Sequence, residues 1–392
     1  MCNNGIPSIK CVQYQYDGKN DSGNITGCSC ELGFIVHNYQ PELGSSISDP
    51  FVCVDEDECQ VLGPDLCSQH CVNTFGSYKC LCSDGYHLSD DGHTCKAYGS
   101  SMVFVFSNGT ALFLSNHQTQ TPIITQLSNA NDLAMEHEKN LIYWSDPSSK
   151  RIQRGAVIRP APPAADLTED VVNIDLVAPN ALTIDWIRRL LFWADGGRQL
   201  IEVMHLETRY RKAIVWEDIV RPRDIICHPK NGVLFWAEWG NRRHKPRVER
   251  INMDGTDATI IAYKQVYRPV GLVIDFATDK LYWIDAEKLT LESSDLNGRH
   301  RTYIVPEHRN SIIQPPYKLE KPMATAIFED FAYISDQGQQ TMYQIRRHPL
   351  PREIGEVVIR PYTNHNYGQI GPLLIFHNNT QPNFDIKTCH GK

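Results

Sequence analysis

Beyond residue 97 the chain is a succession of short runs rich in aliphatic, β-branched and aromatic residues, bounded by turn formers such as Asn231-Gly232 and Asn297-Gly298. Such runs read as strands. One of them recurs. Tyr143-Trp144-Ser145-Asp146, Phe192-Trp193-Ala194-Asp195, Phe235-Trp236-Ala237-Glu238, Tyr282-Trp283-Ile284-Asp285 and Tyr333-Ile334-Ser335-Asp336 follow one another at offsets of 49, 43, 47 and 51 residues. A second run precedes each copy. Ala178–Asp185, Arg221–Ile226, Arg268–Asp275 and Lys321–Ile327 carry proline at their second position, whereas Asn131–Met135 lacks it. Two strong strands and two weaker ones in each unit of roughly 45 residues make a propeller blade.

Five copies are explicit. A sixth blade is expected from the two ends, where Met102–Phe106 and Ala111–Leu114 are strand-like and Ile370–Phe376 repeats the proline-bearing run. A ring needs closure to remove its edges, and a blade shared between both ends supplies it. The predicted class is mainly β: a six-bladed β-propeller preceded by small disulfide-rich modules.

Cysteine defines those modules. Eleven of the 13 cysteines lie before residue 96, and such density marks small domains that are stapled because they cannot bury a sufficient core. A zinc site would want a CxxC or a Cys/His pair at ligand spacing, but the doublets are C-x-C, at Cys28/Cys30 and Cys80/Cys82. Disulfides are the better reading, and they imply the secretory pathway. Met1–Lys10 has no apolar core long enough for a signal peptide, and no run of about 18 apolar residues could cross a bilayer. The expectation is a piece of a longer extracellular protein. Sequons at Asn20, Asn24, Asn108 and Asn378 agree weakly, since such triplets also arise by chance.

Residues 59–95 hold Cys59, Cys67, Cys71, Cys80, Cys82 and Cys95, and six cysteines allow 15 pairings by spacing alone. Their order resembles the epidermal growth factor-like module, which implies bridges 59–71, 67–80 and 82–95. Asp55-Glu56-Asp57-Glu58 precedes the first cysteine, and Asn73 and Tyr78 follow on the hairpin. Calcium takes six to eight oxygens from carboxylates, amides and carbonyls, and the pattern resembles the calcium-binding subclass. That resemblance implies side-chain ligation by Asp55, Glu58 and Asn73 and carbonyl ligation by Glu56 and Thr74. Asn73 also fits the family's β-hydroxylation position. Residues 1–53 read as an imperfect preceding module with five cysteines, in which Cys30–Cys53 is the expected last bridge. If Cys2 is that module's first cysteine it pairs with Cys11 and leaves Cys28 over. If it is the second, it pairs with Cys28 and the partner of Cys11 lies upstream.

The whole order resembles the low-density lipoprotein receptor family and its class B repeats: disulfide module, calcium module, propeller, then Phe376–Pro382 and Cys389. The divisions expected are 1–53, 54–96, 97–388 and 389–392, the last being the start of a further module. The resemblance implies an extracellular segment of an endocytic lipoprotein or yolk-protein receptor. Its partners would be a lipoprotein- or vitellogenin-like ligand and the parent receptor's own cysteine-rich repeats. Its places would be the outer face of the plasma membrane and the endosome lumen. The alternative is the ligand-binding propeller of a signalling co-receptor or growth-factor-precursor-like protein.

Charge and motifs trim the other classes. A net charge of −8 speaks against nucleic acid, and no membrane contact is expected of this segment itself. G-x-S-x-G, H-E-x-x-H and phosphate-loop motifs are absent from the sequence. The carboxylates Asp146, Asp195, Glu238, Asp285 and Asp336 occur once per repeat, so they are read as structural, accepting from backbone N–H groups of the neighbouring blade. No enzyme is expected. Cys227 reads as a buried, unpaired thiol.

Candidate partner contacts are the run Arg242, Arg243, His244, Lys245 and two places suggested by the family's acid-dependent release of cargo. Where the family has Asp-Trp-Ile-His, this chain has Asp185-Trp186-Ile187-Arg188. Where the family has Asp-Pro-Val-His-Gly, it has His228-Pro229-Lys230-Asn231-Gly232. Neither histidine is in place. His228 and His244 lie nearby, and Arg188 is a permanent cation that attracts acidic modules without a pH switch.

Overall fold

The computed structural model describes residues 10–15, 24–30, 32–38, 51–62, 66–99, 102–107, 111–115, 120–124, 127–156, 168–305, 319–347, 359–361 and 370–382. Two compact units result, Met1–Lys96 and Ala97–Lys392.

The first unit is built from two-stranded ribbons and bridges. Disulfides join Cys30–Cys53, Cys59–Cys71, Cys67–Cys80 and Cys82–Cys95. Lys10–Gln15 pairs with Asn24–Ser29 so that the backbone of Cys11 faces that of Cys28, a juxtaposition not among the two pairings weighed above. Their side chains, and Cys2 and Cys389 altogether, lie outside the described residues. The hairpin His70–Thr74 with Ser77–Leu81 sets Asn73 opposite Tyr78. Each bridge of this kind contributes about 2–4 kcal/mol, large for a ribbon with little core.

Among its described residues the regular structure of the second unit is strand apart from the 3-10 turn Asn378–Thr380. Five sheets each use four consecutive strands: 132–172, 179–215, 222–262, 269–305 and 322–361, here blades one to five. A further sheet is composite, with Gln120–Ile124, Ala111–Ser115 and Met102–Ser107 completed by Ile370–Phe376 from the far end of the chain. Six blades were expected; five continuous ones are seen, together with one four-stranded sheet assembled from distant parts of the chain. The innermost strands neighbour one another in a closed cycle that includes Ile370–Phe376. Radial closure leaves only the short edges of the individual blades.

Proline opens the inner strands of blades two to five, a position where no ladder N–H is lost. A register shift follows it in each, as between Pro179 and Ala181 or Pro222 and Asp224. The motif aromatics fill the space between blades. Tyr143, Trp144, Phe192, Trp193, Phe235, Trp236, Tyr282 and Trp283 are the largest fully buried side chains, with Trp236 at the limit.

The motif carboxylates bind backbone. Asp195 accepts from Val177 N (2.9 Å) and Ala178 N (2.9 Å) on the link entering its blade, and from Gly197 N and Arg198 N (3.0 Å each) in the following turn. Asp285 does the same with Tyr267, Arg268, Glu287 and Lys288, and Asp336 with Glu320, Lys321, Gly338 and Gln339. The donors are thus the inter-blade link and the blade's own turn, not a strand of the neighbouring blade. Burial alone would raise the Asp146 carboxyl, but the Ser128 hydroxyl and the N–H groups of Ser149 and Asn129 outweigh it and hold it below the usual range. In Asp195, Asp285 and Asp336 both carboxylate oxygens are engaged in holding the chain.

A buried ion pair ties blades four and five. Arg347 Nη1 lies 2.8 Å from Asp275 Oδ2 and 2.6 Å from the Tyr282 hydroxyl. Burial opposes the Asp275 charge, but Arg347 and its hydrogen bonds keep the carboxyl depressed. Cys227 is the free cysteine among the described residues. It is buried, its thiol donates to Ile184 O (3.1 Å), and burial pushes its pKa up.

Asp195→Ala would take the carboxylate acceptor away from four part-buried backbone N–H groups at once. The expected loss is about 3 kcal/mol or more, read as a lower denaturant midpoint than that of Asp218→Ala at the surface.

Candidate functional site

The calcium cradle is assembled by local chain geometry. Asp57 caps the single turn Glu58–Val61, its carboxylate accepting from Gln60 N at 3.2 Å. That cap sets Glu58 at the first helical position, pinned beside the Cys59–Cys71 bridge and buried. Asn73 reaches back from the hairpin, and its Nδ2 donates to Asp55 Oδ2 at 2.8 Å. The other Asp55 oxygen accepts from Gly76 N. Gly76 takes φ +75° at the hairpin tip, a conformation that suits glycine.

Two oxygens are left over. Glu58 Oε2 and Asn73 Oδ1 are buried without a hydrogen-bond partner, an arrangement that costs free energy unless something ligates them. Tyr78 registers the same charge: burial first, then the Glu58 carboxylate, raise its phenol. These donors are all hard oxygens, and the set fits calcium. Among the described residues no group of three or more His, Cys, Asp or Glu side chains could hold a metal. The expected set contains only two carboxylates, with an amide and two carbonyls making up the rest. Glu56 N donates to Gly33 O (2.9 Å), and the Thr74 hydroxyl donates to Ser77 O (2.8 Å). Phe34 meets Phe75 edge-on with ring centroids 5.0 Å apart. The cradle therefore sits where the preceding ribbon joins the hairpin.

The six candidate partner contacts do not form one patch. In blade three, Pro222–His228 runs antiparallel to Val233–Glu238, pairing Pro222 with Glu238 and His228 with Val233. Arg188 and His228 thus lie at one end of the strands and Arg242–Lys245 at the other. Arg188, 40% exposed, holds Asp185 Oδ2 (2.9 Å) and Pro229 O (2.7 Å), linking blades two and three. His228 is 0% exposed and so offers no contact surface in this fold. It ends its inner strand where blades two and four have Asp185 and Asp275. Its Nδ1 accepts from Asn231 N (3.3 Å) and its Nε2 meets Asp279 Oδ1 at 3.2 Å. That shared position was the available signal for a turn cap.

Arg242, Arg243 and Lys245 are exposed. His244 is not free: its Nδ1 lies 3.0 Å from Asp218. Their loop, 239–246, replaces the four-residue turns of the other continuous blades, and it follows the one glutamate among the motif carboxylates. Glu238 Oε1 accepts from Val220 N (2.8 Å), but Oε2 has no hydrogen-bond donor and faces Arg247 at 3.4 Å. Arg247 also binds Glu249. Burial, only partly offset by Arg247, lifts the Glu249 carboxyl to about 7.

Of the sequon residues, Asn378 is exposed on the turn Asn378–Thr380. Asn20 and Asn108, and the side chain of Asn24, lie outside the described residues. The Thr380 hydroxyl donates to His377 O (2.8 Å), and Gln381 joins Met135 O and His137 N, so the chain after the last strand is fastened to blade one.

A model of the calcium-binding EGF domain matches residues 55–95. The chain is similar to the vitellogenin receptor Yl of Drosophila melanogaster, with 26% identity over 325 residues, covering 81% of this chain and 15% of that receptor. It spans only a small part of that protein's length. In fold it is similar to a chain of a nidogen/laminin complex, with a TM-score of 0.59 and 20% identity over 70% of this chain and 98% of the other. It also matches TolB from Acinetobacter baumannii, with a TM-score of 0.53 and 9% identity over 72% and 68% of the two chains. No helix among the described residues is long and apolar enough to cross a membrane.

Glu249 gives a pH test. A carboxyl whose folded pKa, about 7, exceeds its ordinary 4.5 makes the folded state bind the extra proton, so its contribution to stability falls as pH rises between those values. Glu249→Gln should therefore gain in melting temperature relative to wild type at pH 7.5, with the gain shrinking towards pH 4.5.

Proposed function

We propose that this chain, which resembles the low-density lipoprotein receptor family, is an extracellular segment of an endocytic lipoprotein or yolk-protein receptor. What supports this most is the joining, in one chain, of a calcium-binding EGF module to a propeller, with likeness to a vitellogenin receptor running over 325 residues. In this reading the modules are 1–53, 54–96, 97–388 and 389–392, and the composite sheet counts as the sixth blade. The segment lies outside the cell and enters endosomes with its parent receptor.

Calcium, held by the Asp55, Glu58 and Asn73 side chains with the Glu56 and Thr74 carbonyls, supplies a divalent charge that satisfies the orphaned oxygens. The residues around it do the mechanical part. Asp55 gathers Asn73 and Gly76 through hydrogen bonds, and Phe75 and Phe34 pack beside them. A joint stiffened in this way holds the preceding ribbon to the calcium-binding module. The propeller then serves as a rigid surface to which acidic cysteine-rich repeats of the same receptor bind when cargo is released. Arg188, a permanent cation, contributes attraction that does not depend on protonation.

Calcium titration of the full chain is expected to saturate with a Kd of about 10⁻⁴–10⁻³ M. Asn73→Ala and Glu58→Gln should each weaken it by about tenfold, followed by calorimetry and by protease cleavage near residue 56. Binding of the calcium-loaded chain to recombinant cysteine-rich ligand repeats tests the release role. Tighter binding at endosomal than at neutral pH is expected, and equal or weaker binding at acid pH would sink it.

A further inference from the structure

We infer that the propeller end carrying Trp239 is a recognition site for an extended acidic peptide, in which guanidinium groups around one indole take its carboxylates. This goes beyond the release reading and stands whether or not the parent receptor is endocytic.

The first observation is unspent charge. Arg221, Arg242, Arg243, Lys245 and Arg268 are exposed and Arg223 is half-buried. Among the described residues none of the six has a carboxylate within ion-pair distance. Other cations of the propeller do: Arg211 with Glu202, Arg247 with Glu249, Arg301 with Glu292 and Arg347 with Asp275. Asp218, which meets the loop at His244, is already taken by His244 and Arg247. Like charges held together without a counter-ion repel, and an incoming anion relieves that repulsion.

The second observation is construction. The Arg223 and Arg268 guanidiniums lie over the Trp239 ring at 4.1 Å and 4.4 Å from its centroid. The indole is fixed in turn by Nε1 donating to Pro269 O at 3.0 Å. Arg223 Nε is buried with no hydrogen-bond partner, and burial together with Arg221 and Arg268 lowers its pKa. Beside the indole is a concavity of about 760 Å³ lined by Arg221, Trp239, Gly240, Asn241, Arg242, Arg243 and Pro246. Its wall is a built loop. Asn241 Oδ1 accepts from Arg243 N (2.7 Å) and His244 N (2.9 Å). Gly240 takes φ +61°, and a Cβ there would meet His244 O at 2.1 Å.

The third observation concerns the kind of anion. Five of the six cations are arginine, whose planar fork matches a carboxylate with two parallel hydrogen bonds. Aromatic surface lies on the links that lead to Arg221 and Arg268: Trp216 is 61% and Tyr267 52% exposed. Cations converging on an indole, with exposed rings on the same links, reward a chain whose carboxylates alternate with apolar side chains. A sulfated saccharide offers the charge without the apolar side chains.

The test uses the full chain with calcium and a fluorescein-labelled synthetic peptide in which Glu alternates with Val, beside its Gln-for-Glu twin. Anisotropy titration should show the Glu peptide binding at least about tenfold tighter than the twin, with affinity falling as salt rises. The double substitution Arg221→Ser/Arg268→Ser, and separately Arg242→Ser/Arg243→Ser, should each remove most of that preference without shifting the melting temperature. Arg188→Ser, at the other end of the strands, should keep it. Equal binding of both peptides would overturn the proposal, as would equal loss in Arg188→Ser. So would a heparin oligosaccharide that binds where the Glu peptide does not.

Discussion

The propeller depends on one contact made over and over: a buried carboxylate at the end of the second strand that accepts N–H groups from the link entering the blade and from the turn leaving the strand. In Asp195, Asp285 and Asp336 four such donors converge on one side chain. A buried ion is costly unless its lone pairs are filled, and backbone amides are donors that no substitution short of proline removes. The motif therefore couples the conformation of the link to the conformation of the turn. That coupling fixes how each blade follows the one before it, and the aromatic pair beside the carboxylate fills the space that results.

Blade three shows what happens when the contact changes. Glutamate in place of aspartate pushes the carboxylate further out by one methylene, and the compact turn is replaced by residues 239–246. Only one oxygen of Glu238 receives a hydrogen bond, from the entering link. The other faces Arg247, which is drawn into a cluster with Glu249 and Asp218. The freed loop places Trp239 between two arginines and leaves several cations without partners. A departure from the repeat thus coincides with a cationic loop in blade three where the neighbouring blades have a short turn.

The calcium cradle was readable from residue types and their order, because its geometry is local: a helix cap, a bridge and a hairpin whose tip is glycine. What the sequence did not disclose is the pair of orphaned oxygens on Glu58 and Asn73, which depends on how the hairpin folds back. The partner residues were less readable. His228 was a candidate contact because it lies near a family histidine position, yet it ends an inner strand at the position of Asp185 and Asp275 and is buried as a turn cap. Arg188 and the 242–245 run were separate candidates, and sequence distance did not say that they occupy opposite ends of the strands.

The sequence by itself determined the repeat, the strand pattern within it, the cysteine-stapled modules before it and the acidic-amide signature of calcium. Those features follow from side-chain periodicity and from residue chemistry at short range. Only the tertiary structure decided that the motif carboxylates bind links and turns, and that Arg221, Arg223 and Arg268 gather around Trp239. The Trp239 cluster joins blade three to the link entering blade four, residues distant along the chain. Their meeting depends on the twist and closure of a ring, which no local pattern encodes.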